Sequence, residues 1–354
     1  MLFENSMYQA DIDKINAMDL PWEQLCHSSV FVTGATGMIG TVLVDTLMAR
    51  NERFGADIKV YALARNRKRA VERFPGYKEN ENFHFIEGDI NQPMDHIPGF
   101  DYVFHCASNT HPLDYSADPI GTIMTSVTGT QNVLEYMVRS KAKRAIFLSS
   151  VEIYGENRGD VERFDENYCG YIDCNTMRAG YPEGKRAGEA LCQAYMAKYG
   201  IDVVIPRICR VYGPSMLKTD SKALSQFIKK AAARENIVLK SAGNQYYSYC
   251  YAADVVSALL YLLLKGKSGE AYNIADPKSD ITLKELAAML AKEAGTEVVF
   301  ELPDEKESRG YSKATKALLA PDKLNALGWK PFYDIKSGLA RTVCIIRENE
   351  ERFR

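Results

Sequence analysis

SVFVTGATGMIG, residues 29–40, breaks a short apolar, β-branched run with three glycines at G-x-x-G-x-x-G spacing. Val30 to Val32 read as a buried strand, and Thr33 to Gly40 as the turn that opens a helix with an apolar stripe of Ile39, Val42, Leu43, Thr46 and Leu47. Each glycine has its own task. The backbone turns sharply after the strand at Gly34, approaches a pyrophosphate without an intervening Cβ at Gly37, and lets the helix pack on the sheet at Gly40. The start of the helix offers unpaired N–H groups and a positive dipole end to phosphate, with Thr36, Met38 and Ile39 completing the cradle. Glycine-rich turns are common; one set between a strand and an amphipathic helix points to dinucleotide binding.

Ile58 to Ala64 (IKVYALA) form the second strand and complete a β-α-β unit. The tip of that strand reads the adenosine ribose: a carboxylate there accepts from the hydroxyls of NAD, and a small residue followed by arginine suits the 2′-phosphate of NADP. Here the strand ends Leu63-Ala64-Arg65-Asn66-Arg67, which favours NADP slightly through Arg65. The competing reading makes Arg65, Arg67, Lys68 and Arg69 a solvated helix face. Phe83 to Gly88 give a third strand with Asp89 and Ile90 at its tip, where adenine would lie. Asp101 to Cys106 give a fourth, running into Ala107-Ser108-Asn109, whose small side chains let the chain pass beside a cofactor. His105, inside that apolar run, reads as a hydrogen-bonded core histidine. A helical pattern over Pro119 to Val138 and a strand at Ala145 to Ser149 continue the alternation, which predicts an α/β, doubly wound parallel sheet.

The chain has 354 residues, 46% of them apolar, enough for one large α/β domain or for a large and a small one. Its formal charge of −2 excludes a global basic field for nucleic acid or for a membrane surface. Eight cysteines lie scattered without a C-x-x-C pair or a Cys/His ligand spacing, as expected of unpaired thiols in a reducing cytoplasm, and no metal site is expected. The N-terminal stretch lacks the basic and apolar regions of a signal peptide, and no run reaches membrane-spanning length; a soluble, cytoplasmic protein is the expectation. Residues 1–28 read as an acidic helical extension that packs as an arm on the rest.

The chemistry gathers after the fifth strand. Ser149-Ser150-Val151-Glu152-Ile153-Tyr154-Gly155 place hydroxyls and one carboxylate at a strand's carboxyl end, where open α/β sheets bind their ligands. Downstream, Tyr181-Pro182-Glu183-Gly184-Lys185 opens an amphipathic helix, so Tyr181 and Lys185, four apart, share a face. A tyrosine, ordinarily titrating near about 10, is a base at neutral pH only where a cation favours the phenolate. Lys185 and an oxidised nicotinamide supply that cation. The pattern therefore reads as a hydride-transfer site, with Tyr181 taking the proton of a substrate hydroxyl while the adjacent carbon gives hydride to NAD(P). Alone, Y-x-x-x-K is a common surface pair; behind the glycine turn and the serine-tipped strand it reads as a site.

With these residues in place, the sequence resembles the extended short-chain dehydrogenase/reductases that act on nucleotide sugars, the NAD-dependent epimerase/dehydratase family, over roughly residues 30–275. TGATGMIG is similar to the family's T-G-x-x-G-x-x-G, HCAS to its H-x-A-A, and SVEIYG with YPEGK to its catalytic serine or threonine, tyrosine and lysine. The resemblance implies a Rossmann-type fold, a catalytic set of Ser150, Tyr181 and Lys185, a nucleotide-sugar substrate, and a homodimer formed through the two central helices. Within the family the chain looks most like UDP-glucuronate decarboxylases, through DENYCGYIDCNTMRAGYPEGKRAGEALCQAYM, ALSQFIKKAA and GNQYYSYCYAADVV. Ser150-Val151-Glu152 resembles their T-x-E and makes Glu152 a fourth catalytic candidate. Four positions depart from the pattern. Ala64 stands where NAD-using relatives carry Asp, Ser126 where the family has Asn, Arg210 in place of an Asn near the sugar pyrophosphate, and Tyr247 in place of an arginine used on the substrate. Val151 sits where the dehydratase branch carries an acid, which disfavours dehydration.

The rest of the chain predicts a smaller C-terminal substrate-binding domain. Residues 29–205 with 249–276 are expected to form the NAD(P)-binding domain, and 206–248 with 277–354 the substrate domain. The latter carries a helix over Ala223 to Ala233 and a strand at Ile237 to Leu239, before the helix Val255 to Leu264 and the strand Ala271 to Ile274 return to the sheet. Asp280 reads as the cap of the next helix, and Leu327 to Pro331 as the close of a C-terminal one. Arg178, Arg210, Lys218, Lys222 and Tyr247 are the candidate substrate contacts, with Arg210, Lys218 and Lys222 as phosphate partners. The expected reaction oxidises a sugar hydroxyl, at C4 of the hexose, and uses the ketone either to lose a C5 carboxylate or to reset C4. An NADPH-dependent carbonyl reductase, recognised by net consumption of NADPH, is one alternative. A non-catalytic NADP-sensing protein is another, though a sensor has no use for Tyr181.

Overall fold

The computed structural model describes residues 2–95, 97–110, 117–301 and 315–351. In chain order the strands are β1 (Ser29–Thr33), β2 (Lys59–Ala64), β3 (Phe83–Glu87), β4 (Tyr102–His105), β5 (Arg144–Phe147), β6 (Ser149–Ser150) and β7 (Val203–Ile208). They are followed by β8 (Arg210–Tyr212), β9 (Ile237–Leu239), β10 (Tyr246–Tyr251), β11 (Ala271–Ile274), β12 (Asp280–Thr282), β13 (Val298–Phe300) and β14 (Lys316–Ala317). An eight-stranded sheet runs β11-β7-β5-β4-β1-β2-β3, with β6 beside β7. Every pairing in it is parallel. The chain winds outward from β1 through β2 to β3, then returns across β1 to β4. That reversal leaves a crevice at the carboxyl ends of β1 and β4, where Thr33 and His105 lie in register.

Both faces of the sheet are covered, so its strands are apolar on both sides instead of alternating. Val30 and Val32 of β1 join one core and Phe31 the other. The helices Met38–Phe54 and Ala252–Lys265 cover the first face. Ala252–Lys265 is buried at every position up to Leu264, as its run of leucines demands. Pro119–Ser140 and Gly180–Tyr199 cover the second face.

The second layer of structure differs from the sequence reading at its boundaries. β7 runs to Ile208, across the expected domain boundary at residue 205, and pairs with β11 from Ile205 to Ile208. Pro206 is tolerated there because β5 pairs only with Val203 and Val204, and β6 only with Arg207 and Ile208, so the missing N–H falls in the gap between them. Residues 249–251 do not return to the main sheet; they pair with Arg210–Tyr212 in a four-stranded sheet of β12, β10, β14 and β8. β9 and β13 form a separate parallel pair. Asp280 is not a helix cap. Thr282 is: its hydroxyl accepts from the Glu285 N–H at 3.2 Å while the Glu285 carboxylate accepts from the Thr282 N–H at 3.1 Å. Asp280 instead accepts from Ser248 Oγ at 2.6 Å and pairs with Arg163.

The N-terminal segment is locked in place. Asn5 caps the helix Ser6–Asn16, Tyr8 donates to Asp45 Oδ2 at 2.6 Å, and Asp11 accepts from Tyr251 at 2.7 Å and from Arg341 Nε at 2.8 Å. It thereby joins the cofactor-side helix Met38–Phe54, β10 and the C-terminal helix Ile335–Glu351. Among the described residues, no helix is long and apolar enough to cross a membrane, and no group of three or more His, Cys, Asp or Glu side chains is placed to hold a metal ion.

Candidate active site

The turn after β1 leaves no room for side chains. Gly34 has φ of +67°, and a Cβ there would lie 2.8 Å from the backbone of Ala107; one on Gly40 would lie 2.5 Å from the Gly34 carbonyl oxygen. Gly37 is the N-cap of Met38–Phe54, and no side chain caps that helix. Its first N–H groups are therefore available to an anion, and the tight glycine backbone lets one approach: the residues present fit the pyrophosphate of a dinucleotide. Thr36 is buried beside the turn, and Met38 and Ile39 are half-buried in the first helical turn. Ser215 Oγ donates to the Met38 carbonyl at 2.9 Å, which ties the segment after β8 to this cradle.

Around the adenosine end, Ala64 is buried and Arg65 exposed one residue beyond β2. Arg67, Lys68 and Arg69 are exposed too, on a helix capped by Asn66. Asp89 is half-buried, with Oδ1 accepting from the Asn91 N–H at 2.9 Å. Ile90 packs where Gly129 brings the helix Pro119–Ser140 close: a Cβ on Gly129 would lie 2.6 Å from Ile90 Cδ1. Ala107 N–H donates to Thr33 Oγ1 at 3.2 Å. His105 bonds Thr33 at 2.9 Å and Thr130 at 3.3 Å, and burial, with Lys185 nearby, pushes it down to about 3, so it is a neutral core histidine.

Tyr181 and Lys185 share the buried face of Gly180–Tyr199 with Gly184, Gly188 and Cys192. A Cβ on Gly184 would lie 2.7 Å from Ser126 Cβ, and one on Gly188 would lie 2.6 Å from Phe147 Cζ. Small residues thus bring the helix close against β5 and Pro119–Ser140, and Ser126, shorter than asparagine, is part of that fit. Lys185 Nζ donates to the Leu148 carbonyl at 2.7 Å and sits 5.1 Å from the Phe147 ring, with burial lowering it to about 8. Burial pushes the Tyr181 phenol up to about 12 and the Glu152 charge adds to this, while Ser150 and Ser108 pull it down. Among the described residues, Ser108 Oγ is buried near Tyr181 with no partner at full hydrogen-bond geometry, and Ser150 Oγ accepts from the Glu152 N–H at 3.2 Å. Ser150, Ser108 and Tyr181 therefore face one point beyond the β1–β4 crevice.

Glu152 lies at the rim of that point, 3.8 Å from Arg178 and 3.5 Å from Arg210. Arg210 lies over the Tyr247 ring at 3.4 Å from its centroid, and among the described residues its buried Nη1 has no hydrogen-bond partner. Four sequence-predicted residues are thus one cluster with two cations and one anion. Lys222 Nζ reaches Thr110 Oγ1 at 3.4 Å, at the end of the segment that follows β4, and Asp220 at 3.5 Å. Lys218 is exposed and does not join this cluster; its carbonyl accepts from Lys229. Sequence reasoning missed Glu189 and Arg207, which form a bidentate pair at 2.7 and 3.1 Å behind the site; the only signal was the placing of Glu189 four residues after Lys185.

The chain's residues 30–275 match the model of the NAD dependent epimerase/dehydratase family. The chain is 30% identical over 326 residues to UDP-glucuronic acid decarboxylase 1 of Xenopus tropicalis, a match covering 91% of this chain and 73% of that one. It is 31% identical over 325 residues to UDP-glucuronic acid decarboxylase 6 of Arabidopsis thaliana, covering 88% and 86%. Among solved structures, the NAD-bound dTDP-glucose 4,6-dehydratase of Streptomyces venezuelae superposes with a TM-score of 0.77 at 25% identity, covering 92% of this chain and 98% of that one.

Proposed function

This chain belongs to the NAD-dependent epimerase/dehydratase family, and from that premise we propose that it oxidises a hydroxyl of a nucleotide-activated sugar, at C4, and then acts on the ketone as a UDP-glucuronate decarboxylase does. Tyr181 Oη takes the hydroxyl proton, and Ser150 Oγ holds the same oxygen by hydrogen bonding. Lys185, fixed by the Leu148 carbonyl, contributes positive charge to the site. When bound, NAD(P) supplies a hydride acceptor and a positive charge beside the phenol. The Gly34–Gly40 turn binds its pyrophosphate, and Arg65 favours the 2′-phosphate of NADP. In the second step the C5–C6 bond breaks, carbon dioxide leaves, and the electron pair is held as the enolate of the C4 ketone. Glu152, or a water it orients, returns a proton to C5, and Tyr181 would give its proton back to the C4 oxygen as a bound cofactor would return the hydride to C4.

The observation that carries the uronate reading is the Arg178–Glu152–Arg210 cluster next to Tyr181. A carboxylate leaving water needs cations or several donors, and these two arginines supply them where Tyr247 does not. Incubation with UDP-glucuronate is expected to release carbon dioxide and a UDP-pentose with no net change in cofactor. Interconversion of a neutral UDP-hexose with its C4 epimer, with UDP-glucuronate inert, would make the enzyme a 4-epimerase. Exposed Ile120, Ile123 and Met124 on Pro119–Ser140 support pairing of two copies through that helix and Gly180–Tyr199, to be read as sedimentation at twice the chain mass.

A further inference from the structure

We propose that Glu189 is a positioning residue of this site: its carboxylate, held in one place by Ser149 and Arg207, is the anion that supports the buried Lys185 ammonium. The inference rests on the reading that Lys185 serves Tyr181. Glu189 lies one helical turn beyond Lys185, on the helix that carries both. Ser149 Oγ donates to Glu189 Oε1, and Arg207 donates from Nε to Oε1 at 3.1 Å and from Nη2 to Oε2 at 2.7 Å. Arg207 is fixed in turn: its Nη1 donates to Tyr154 Oη at 3.0 Å and to the Glu166 carbonyl at 2.8 Å, and Tyr154 donates to Asn273 Oδ1 at 2.7 Å. β6, β7 and β11 thereby hold the carboxylate from the sheet side, so it cannot swing away from the helix face.

The setting of Lys185 explains why one carboxylate matters. The ionisable groups around its ammonium are His105 from β4 with Cys106 just after it, and Cys192 and Glu189 from its own helix. Burial keeps Cys106 and Cys192 as thiols, with Cys106 pushed up to about 12, and leaves His105 neutral. Glu189, bonded to a guanidinium in fork geometry, is the one anion in that set. Among the described residues, the ammonium is further supported by the Leu148 carbonyl and the face of Phe147. Desolvation lowers Lys185 and Glu189 opposes that fall.

The test follows the Lys185 13Cε resonance with pH in [ε-13C]lysine-labelled full-length protein, assigned by its loss in Lys185→Met. The wild-type midpoint is expected near pH 8. Glu189→Gln should lower it by about one pH unit, as loss of one nearby charge in a partly screened interior implies. Glu189→Asp, which keeps the charge, should restore most of the difference. Because Glu189→Gln strands the buried Arg207 charge and can prevent folding, Glu189→Gln/Arg207→Gln serves as the second variant; its midpoint should fall in the same direction by less. An unchanged midpoint in both glutamine variants, or an equal fall in Glu189→Asp, overturns the proposal and leaves the pair a structural staple. The titration needs no substrate, so it stands or fails separately from any failure to turn over a nucleotide sugar.

Discussion

The Arg210 guanidinium lies over the Tyr247 ring, 3.4 Å from its centroid, and 3.5 Å from the Glu152 carboxylate. The aromatic face and the carboxylate together fix the orientation of a cation that comes from a neighbouring strand, not from residue 247 itself. Such a contact is worth roughly 0.5–2 kcal/mol, enough to orient a side chain. Arg210→Gln is expected to weaken UDP-glucuronate binding by roughly ten- to a hundredfold while UDP-glucose binding stays within about twofold. Tyr247→Phe should leave both affinities unchanged, because the ring remains, and Tyr247→Leu should weaken the uronate alone. Calorimetry on the cofactor-loaded Tyr181→Phe protein measures these affinities without turnover. An equal loss for both sugars would assign Arg210 to the nucleotide.

Tyr181→Phe removes one oxygen from a side chain buried among Ser150, Ser108 and the helix face. The fold and the cofactor affinity should survive, and turnover should fall by about a hundredfold or more, the ordinary share of a positioned proton acceptor. Lys185→Met should also lose turnover, with a steeper loss at the acid end, because the phenolate is then formed without the neighbouring ammonium. Near wild-type rates in Tyr181→Phe would remove the residue from the reaction.

The glycine turn, the alternation of strands and helices along the chain and the Tyr181–Lys185 helix were legible because each depends on local periodicity and on backbone positions with no room for a Cβ. Gly34 is one such position, and its clash with Ala107 is a contact over a long separation that the local motif already implies. The place where the sheet ends was not legible. The domain boundary expected at residue 205 falls inside β7, where the gap between β5 and β6 spares the missing N–H of Pro206. Asp280 and Thr282 are equally good caps by type, and the reciprocal bond with Glu285 decides between them. The Arg178–Glu152–Arg210 cluster joins three distant segments. Sequence supplied its members, and only the packing of β8 against β10 put Arg210 on Tyr247.

Asp45 gives the fold a pH dependence away from the site. It is buried under Tyr8 and Tyr77, which donate at 2.6 and 3.0 Å, yet burial outweighs these bonds and raises its carboxyl from the ordinary range to about 7. The folded protein therefore holds a proton that the unfolded chain releases between about pH 4 and 7. Its contribution to stability is complete below the unfolded value and is lost as pH rises through 7. Asp254, raised to about 7 by burial that outweighs the hydrogen bonds it accepts from the Phe332 and Tyr333 N–H groups, acts in the same window. Asp45→Asn should make melting temperature fall less, or rise more, between pH 5 and 7.5 than in the wild type, since one raised carboxyl no longer titrates while neutral His105 acts in the opposite sense in both proteins. An unchanged slope in the variant would show that Asp45 is ionised at pH 5.

The last expectation concerns the cofactor. The tip of β2 presents a buried Ala64 and an exposed Arg65, with Arg67, Lys68 and Arg69 exposed on the following helix. Residues 64–69 carry no carboxylate for the two ribose hydroxyls of NAD, and Arg65 offers a cation at the strand tip. NADPH should therefore bind at least as tightly as NADH when each is titrated by the quenching of protein fluorescence. Arg65→Ala should weaken NADPH by about tenfold, the scale of one exposed charge-assisted phosphate contact, and leave NADH unchanged. Raising the salt concentration should act on NADPH more than on NADH, because the arginine is exposed and its attraction is screened. If NADH instead binds clearly more tightly, Arg65 stacks on or merely borders the adenosine, and the ribose hydroxyls are held by other groups, with Glu87, paired with Ala64, and Asp89 just beyond β3 as the carboxylates of the neighbouring strand.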